Sequence, residues 1–279
     1  MSTTTENVEA WSGKDRGDEN FPVGSLLVSA RLRPHIHAFY AFARNADDIS
    51  DSPELTPAGK VARLDAMEDV LLGRRDSGSP SALGLRRSLA ETGVTPQHAV
   101  ELLVAFRRDA SKLRTASWED LQDYCRYSAM PVGRYLLDLH GETRAGRDAS
   151  DALCTSLQVL NHLQDAAKDL AALDRCYLPA DLLAEAGAGI EDLRGTAATP
   201  GLRRVFDALL DRCDTLNQVA AGLARHTRDR RLRLESMVIV GLARRLTTRL
   251  RHGDPVARRV KLTRPDVVAS VIGALRYLP

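Results

Sequence analysis

The sequence predicts an all-α fold. Apolar residues return at helical spacing in one segment after another, and no stretch alternates apolar and polar residues convincingly enough for a strand. Loop-like stretches rich in Gly, Ser and Pro, such as 74–82 and 187–201, separate the helical segments. The 279 residues allow one large domain or two small ones, and a hydrophobic fraction of 44% is ample for a core. We expect a flexible segment over 1–19 and one domain of packed helices over 20–279.

The elements follow in order. From Pro34 the residues Ile36, Phe39, Tyr40 and Ala43 keep helical spacing, until Pro53 and Pro57 close the segment. TPAGKVARLDAMEDVLLG starts the next helix, and RRDSGSPSA (74–82) reads as loop. TPQHAVELLVAFRRDASKL begins at an N-cap, Thr95, with Pro96 in the first helical position. SWEDLQDYCRYSAMPVGRYLLDLHG reads as helix with a kink at Pro131. DALCTSLQVLNHLQDAAKDLAAL is a strongly periodic helix. Helical patterns around 202–225 and 231–251 and a last one near 265–276 complete the chain.

Several functions are disfavoured at once. A net charge of +2 does not suit a general nucleic-acid binder. Cys125, Cys154, Cys176 and Cys213 are far apart and form no C-x-x-C, which suits reduced thiols in a cytosolic protein. MSTTTENVEAWSGKDRGDEN is polar and charged, unlike a signal peptide. No apolar run approaches the ~18–20 residues that span a bilayer.

Two acidic clusters stand out. RNADDISDSP (44–53) places Asp47, Asp48 and Asp51 at the end of an apolar helix, where the helix dipole disfavours acids. Continuing the stripe Ile36, Tyr40, Ala43 brings Asp47 and Asp51 to the same side. LQVLNHLQDAAKD (157–169) holds Asp165 and Asp169 one turn apart. Gln158 and Asn161 extend the ribbon, on a helix whose Leu153, Leu157 and Leu160 must be substantially buried. If both ribbons face one cavity, each acid pair at ~5 Å and a dielectric near 20 costs about 3 kcal/mol. Cations must then lie between them. Oxygen ligands without Cys or His suggest Mg²⁺, which keeps water and shares its shell with substrate phosphates. There is no Walker loop and no G-x-G-x-x-G, so a nucleotide is the weaker choice.

Taken together, these motifs resemble the squalene/phytoene synthase family and its isoprenoid synthase fold. FYAFARNADDISD (39–51) is similar to that family's first Asp-rich motif. YCRYSAMPVG (124–133) is similar to a YCxxVAGxVG segment, and QVLNHLQDAAKD with DRCYLP (158–169 and 174–179) resembles the second motif. ENFPVGS (19–25) and Gln164–Asp165, where most members have Arg-Asp, resemble the hydroxysqualene synthase branch. Three features depart from the pattern. Lys168 stands where many relatives have Glu, Met130 replaces Gly or Asn, and the interval from Asp169 to Arg175 is one residue longer.

The resemblance implies helices around a central apolar channel and a prenyl diphosphate substrate. It implies Mg²⁺ on Asp47, Asp51, Asp165 and Asp169, with Asp48 in support. Arg44 and Tyr40 would meet the diphosphate beside Gln158 and Asn161, and Phe21 would form a pocket wall. Tyr127 would face the reacting carbons, with core packing as its rival reading. Gln164 would position water where other members carry a cation. The implied reaction takes presqualene diphosphate and water to hydroxysqualene and diphosphate. The alternatives are a condensing synthase making presqualene diphosphate, dehydrosqualene or phytoene, and a non-catalytic diphosphate-binding partner subunit. Gln164 discriminates against the first, and five intact acids against the second.

The basic stretch 225–264 suits either a solvated, internally paired helix face or contact with anionic lipid at the inner face of a membrane. Few aromatic residues accompany it, so nucleic acid is a poor partner. Neighbouring enzymes of a squalene pathway are the other expected partners.

Overall fold

A computed structural model describes residues 7–9 and 28–278. Phe21, ENFPVGS and most of the 1–19 stretch lie outside the described residues. Among the described residues the regular elements are helical, apart from an isolated bridge between Arg114 and Cys176. The α-helices are α1 (Arg33–Asp51), α2 (Pro57–Leu71), α3 (Pro80–Thr92), α4 (Gln97–Asp109), α5 (Trp118–Ser128), α6 (Met130–Leu139) and α7 (Arg147–Leu173). They continue with α8 (Ala180–Glu185), α9 (Pro200–Ala220), α10 (Leu223–His226), α11 (Arg230–His252) and α12 (Arg264–Ala274). The chain divides into two compact units, Met1–Lys112 with Asp138–Gly141, and Leu113–Leu137 with Glu142–Pro279.

In the first unit α1 packs against α2, α3 and α4. Its buried line is Ile36, Phe39, Phe42, Ala46 and Ile49, at steps of three and four. Each large apolar side chain on it contributes about 1.5–3 kcal/mol. This corrects the expected stripe: Tyr40 and Ala43 are half-buried, because the bulkier Phe42 takes the inward line. The acids therefore flank the core face instead of extending it.

Helix α3 begins at Pro80, inside the stretch read as loop. Ser79 Oγ accepts from the Ala82 N–H, and Pro80 occupies the first turn. Glu9 Oε1 reinforces that end. It accepts from Ser79 Oγ at 2.6 Å, the Ser81 N–H at 2.8 Å and Ser81 Oγ at 2.7 Å, a carboxylate at a helix N-terminus. Helix α4 starts one residue later than expected, and Thr95 Oγ1 still accepts from the Gln97 N–H.

In the second unit α7 packs against α5, α9 and α11. The kink expected at Pro131 is a full break at Ala129, whose φ of −128° is not helical. Pro131 then falls in the first turn of α6, where a missing N–H costs nothing. Gly133 explains itself by close helix packing. A Cβ there would lie 2.3 Å from Ser150 Oγ and 2.7 Å from Cys154 Sγ. At the far end of α7 Asp174 adopts φ 52°, a left-handed cap that Asp tolerates better than most residues. The chain then returns along 113–116: the Cys176 N–H donates to the Leu113 carbonyl, and the Ala180 N–H to that of Thr115.

Candidate active site

The last turns of α1 carry the first cluster. Arg44 Nη2 donates to Asp48 Oδ1 at 2.9 Å, and Nη1 lies 3.2 Å from Asp47 Oδ2. The Asp48 side chain is 8% exposed and that of Asp47 36%, so Asp48 lies deeper and Asp47 faces outward. Ser50 Oγ contacts Asp51 Oδ1 at 3.4 Å. Lys60 Nζ, from α2, donates to the Ser50 carbonyl at 2.8 Å. A cation there offsets the negative end of α1 and the acids beside it. Tyr40 lies one turn before Arg44 and is half-buried.

Helix α7 carries the second cluster. Gln158, Asn161, Asp165 and Asp169 are all half-buried, beside the buried residues Leu153, Val159, Leu160, Leu163, Ala166 and Leu170. This is the polar ribbon expected from the spacing. Lys168 is exposed and stands off it. Arg259, from the segment after α11, donates through Nη2 to Asp165 Oδ2 at 2.8 Å. Asp165 Oδ1 is buried without a hydrogen-bond partner. A buried carboxylate oxygen left in that state is unfavourable by about 1–3 kcal/mol, and a cation would satisfy it.

Gln164 is 3% exposed, and its Nε2 donates to the Val260 carbonyl at 2.6 Å. The residue expected to position water thus holds the backbone next to Arg259. Arg259 itself escaped sequence reasoning. It is 94 residues from Asp165, and its only signal was membership of a basic run.

An aromatic cluster stands beside the ribbon. The His162 ring stacks on Tyr177 at 3.7 Å and 20°, and Tyr124 lies 5.2 Å from Tyr177. Burial, reinforced by the nearby charge of Arg175, pushes the His162 imidazole down to about 3, so it is neutral at pH 7. Arg175 is buried and Tyr177 half-buried. The returning DRCYLP segment therefore reaches α7 despite its extra residue. Tyr127 is half-buried on α5.

Part of the basic stretch 225–264 is paired with acids elsewhere in the chain. Arg249 meets Asp266, Arg251 meets Asp211 and Asp214, and Arg259 meets Asp165. Burial pushes the Asp266 carboxyl up, but hydrogen bonds from Arg249 and Thr263 outweigh it and hold it at about 2. Among the described residues no three His, Cys, Asp or Glu side chains converge as a metal cage, and no helix is long and apolar enough to cross a membrane.

Comparison with known proteins gives the family of the chain. The squalene/phytoene synthase family model matches residues 14–266. A hydroxysqualene synthase of Rhodopseudomonas palustris is 46% identical over 271 residues, covering 97% of this chain and 92% of that protein. One from Sinorhizobium fredii is 42% identical over 258 residues, covering 92% and 88%. The crystal structure of squalene synthase HpnC from Alicyclobacillus acidocaldarius superposes with a TM-score of 0.74 at 34% identity, covering 85% of this chain and 90% of that one. The all-α isoprenoid synthase fold implied by the sequence motifs is borne out. With a match that runs from before α1 into α12 and takes in both acidic helices, this chain belongs to the squalene/phytoene synthase family.

Proposed function

We propose that this enzyme converts presqualene diphosphate and water to hydroxysqualene and diphosphate, with Mg²⁺ and without a nicotinamide. The observation that carries the reading is the α7 ribbon, where Asp165 meets Arg259 through one oxygen and keeps the other buried and unsatisfied. The name hydroxysqualene synthase, borne by relatives 42–46% identical over nearly the whole chain, supplies the substrate class.

The donor set fits Mg²⁺. That ion takes only one or two carboxylates and completes its shell with water and phosphate, so a three-residue cage is not required. Asp47 and Asp51 on one helix, and Asp165 and Asp169 on the other, would hold such ions, with Asp48 in support. Bound there, Mg²⁺ would neutralise charge on the departing diphosphate.

The chain's own groups do the rest. Arg44 and Arg259 donate to diphosphate oxygens as the C–O bond breaks and its electron pair leaves with the diphosphate. Tyr40, Gln158 and Asn161 orient that group. The cation left behind rearranges with opening of its three-membered carbon ring, and the ring of Tyr127 faces the allylic cation that results. Water then adds through its oxygen and loses a proton to solvent or to the diphosphate. Gln164 acts on this step by fixing the 258–261 backbone and as a neutral neighbour of the cation. Phe21 is assigned to the pocket wall by its motif. The reading extends to a cytoplasmic enzyme in contact with an anionic leaflet, and to neighbouring enzymes that supply presqualene diphosphate and reduce hydroxysqualene.

The test is incubation of purified protein and Mg²⁺ with presqualene diphosphate or with farnesyl diphosphate, followed by product analysis. Hydroxysqualene from the first substrate only is the expected result. Hydroxysqualene from farnesyl diphosphate alone would merge the condensing and hydrating steps in one enzyme. Dehydrosqualene or phytoene-like hydrocarbons would overturn the assignment in favour of a condensing synthase.

A further inference from the structure

Helix α12 and the turn Leu275–Tyr277 form an unusual end to the second unit. One side of α12, with Asp266, Ser270 and Ala274, is buried. Ser270 lies against α11, so close that a Cβ on Gly241 would meet the Ser270 Cβ at 3.1 Å. The other side is apolar and open. Val268 is 57% exposed and Ile272 64%, with Val267, Val271, Leu275 and Leu278 also exposed. Steps of one, three and four put these residues on one broad stripe. Six large aliphatic side chains on a single helix and turn form an exposed patch, not the scattered single residues normal on a protein surface.

Cations flank the stripe along the chain. Residues 255–278 contain Arg258, Arg259, Lys261, Arg264 and Arg276, against Asp266 as the one acid. Asp266 is buried, and Arg249 and Thr263 already occupy its carboxylate. At the start of α12 a cavity of about 690 Å³ is lined by Arg245, Arg249, Arg258, Arg259 and Lys261. That recess opens toward α11 with the buried-side residue Asp266 in its lining, so the cations on the exposed side next to the stripe are Arg264, one turn before Val268, and Arg276, one turn after Ile272.

We infer that the α12 stripe docks on an anionic phospholipid surface. Val268, Ile272 and Leu275 enter the acyl boundary, while Arg264 and Arg276 meet headgroup phosphates. Apolar burial and basic residues act together in this mode, as in amphipathic helices that lie in the membrane plane. Charge complementarity selects this occupant over a second copy of the chain. A two-fold dimer through the stripe would set the same flanking cations against themselves. The inference narrows the membrane contact proposed above from residues 225–264 to one face, and it stands on surface geometry whatever reaction the enzyme performs.

Flotation of the full-length chain with vesicles tests it. One set contains phosphatidylcholine alone, the other about one-third phosphatidylglycerol. The protein should float with the anionic vesicles and not the neutral ones, and added salt should release it. Val268→Asp with Ile272→Asp, and separately Arg264→Glu with Arg276→Glu, should each lower the bound fraction by at least about tenfold. Both sets are exposed, and unchanged circular dichroism would show that the fold survives. Equal binding to neutral vesicles, or anionic binding untouched by Val268→Asp with Ile272→Asp, would overturn the inference. So would sedimentation showing a dimer that the same pair of substitutions dissociates, since a second copy would then own the stripe.

Discussion

Arg259 donates to one oxygen of Asp165 at 2.8 Å, while the other oxygen of that carboxylate is buried and unsatisfied. The pair joins the second acidic motif to a basic segment 94 residues away. In the proposed reaction Asp165 would bind metal and Arg259 the diphosphate, and here the two hold each other. On binding a metal diphosphate, each can exchange its partner for the ligand's opposite charge at modest electrostatic cost.

The first prediction concerns these charges. Asp165→Asn and Asp47→Asn should each lower turnover by at least about a hundredfold, since each removes charge that would hold metal at the developing diphosphate. Both variants should stay folded. Steady-state rates at limiting Mg²⁺ and thermal melts check it, and near-wild-type turnover by either variant would remove that carboxylate from the site. Arg259→Gln should slow diphosphate release while leaving the helical content unchanged.

Gln164 supports a sharper test. Gln164→Leu removes the bond to the Val260 carbonyl and leaves a buried acceptor unsatisfied, a loss of about 1–3 kcal/mol. Stability and diphosphate release should fall together. Gln164→Arg retains a donor but adds positive charge near the cation. Diphosphate release should persist while the products shift away from the alcohol. Simultaneous measurement of released diphosphate and of products separates the two effects.

His162 should make stability depend on pH. Its folded value, about 3, lies below the ordinary 6.5, so the unfolded chain binds a proton that the folded chain refuses. Its contribution is fully present above about pH 6.5 and erodes as pH falls through that value toward 3. At about 1.4 kcal/mol per unit, wild type should lose about 2 kcal/mol between pH 7.5 and 5 from this group. Urea unfolding of His162→Phe, which can keep an aromatic face against Tyr177, should show a smaller loss over that interval. Equal losses would show that His162 is not the titrating group.

Gly133→Ala tests the close approach of α6 and α7. The added methyl meets Ser150 Oγ and Cys154 Sγ well inside van der Waals contact, and overpacking of this kind costs about 1–3 kcal/mol. Ser150→Ala in the same chain should recover part of the loss, as measured by the urea midpoint of single and double variants.

The amino-acid sequence by itself determined most of the helical segments and the polar ribbon of α7. Both follow from local periodicity: Asp165 and Asp169 share a side of α7 because a turn is 3.6 residues, whatever surrounds them. The same locality explains the misreadings. Spacing admitted Ala43 as readily as Phe42 to the inward line of α1, and the larger side chain took it through packing with α2, α3 and α4. Helix α3 was hidden because Ser79 and Pro80 read as loop punctuation, although the same two residues cap and open a helix. Tertiary structure alone decided that Arg259 reaches Asp165, that Gln164 holds Val260, that His162 lies buried on Tyr177, and that the outer face of α12 stays uncovered. These are contacts and exposures between segments far apart along the chain, set by how helices pack, and no local period encodes them.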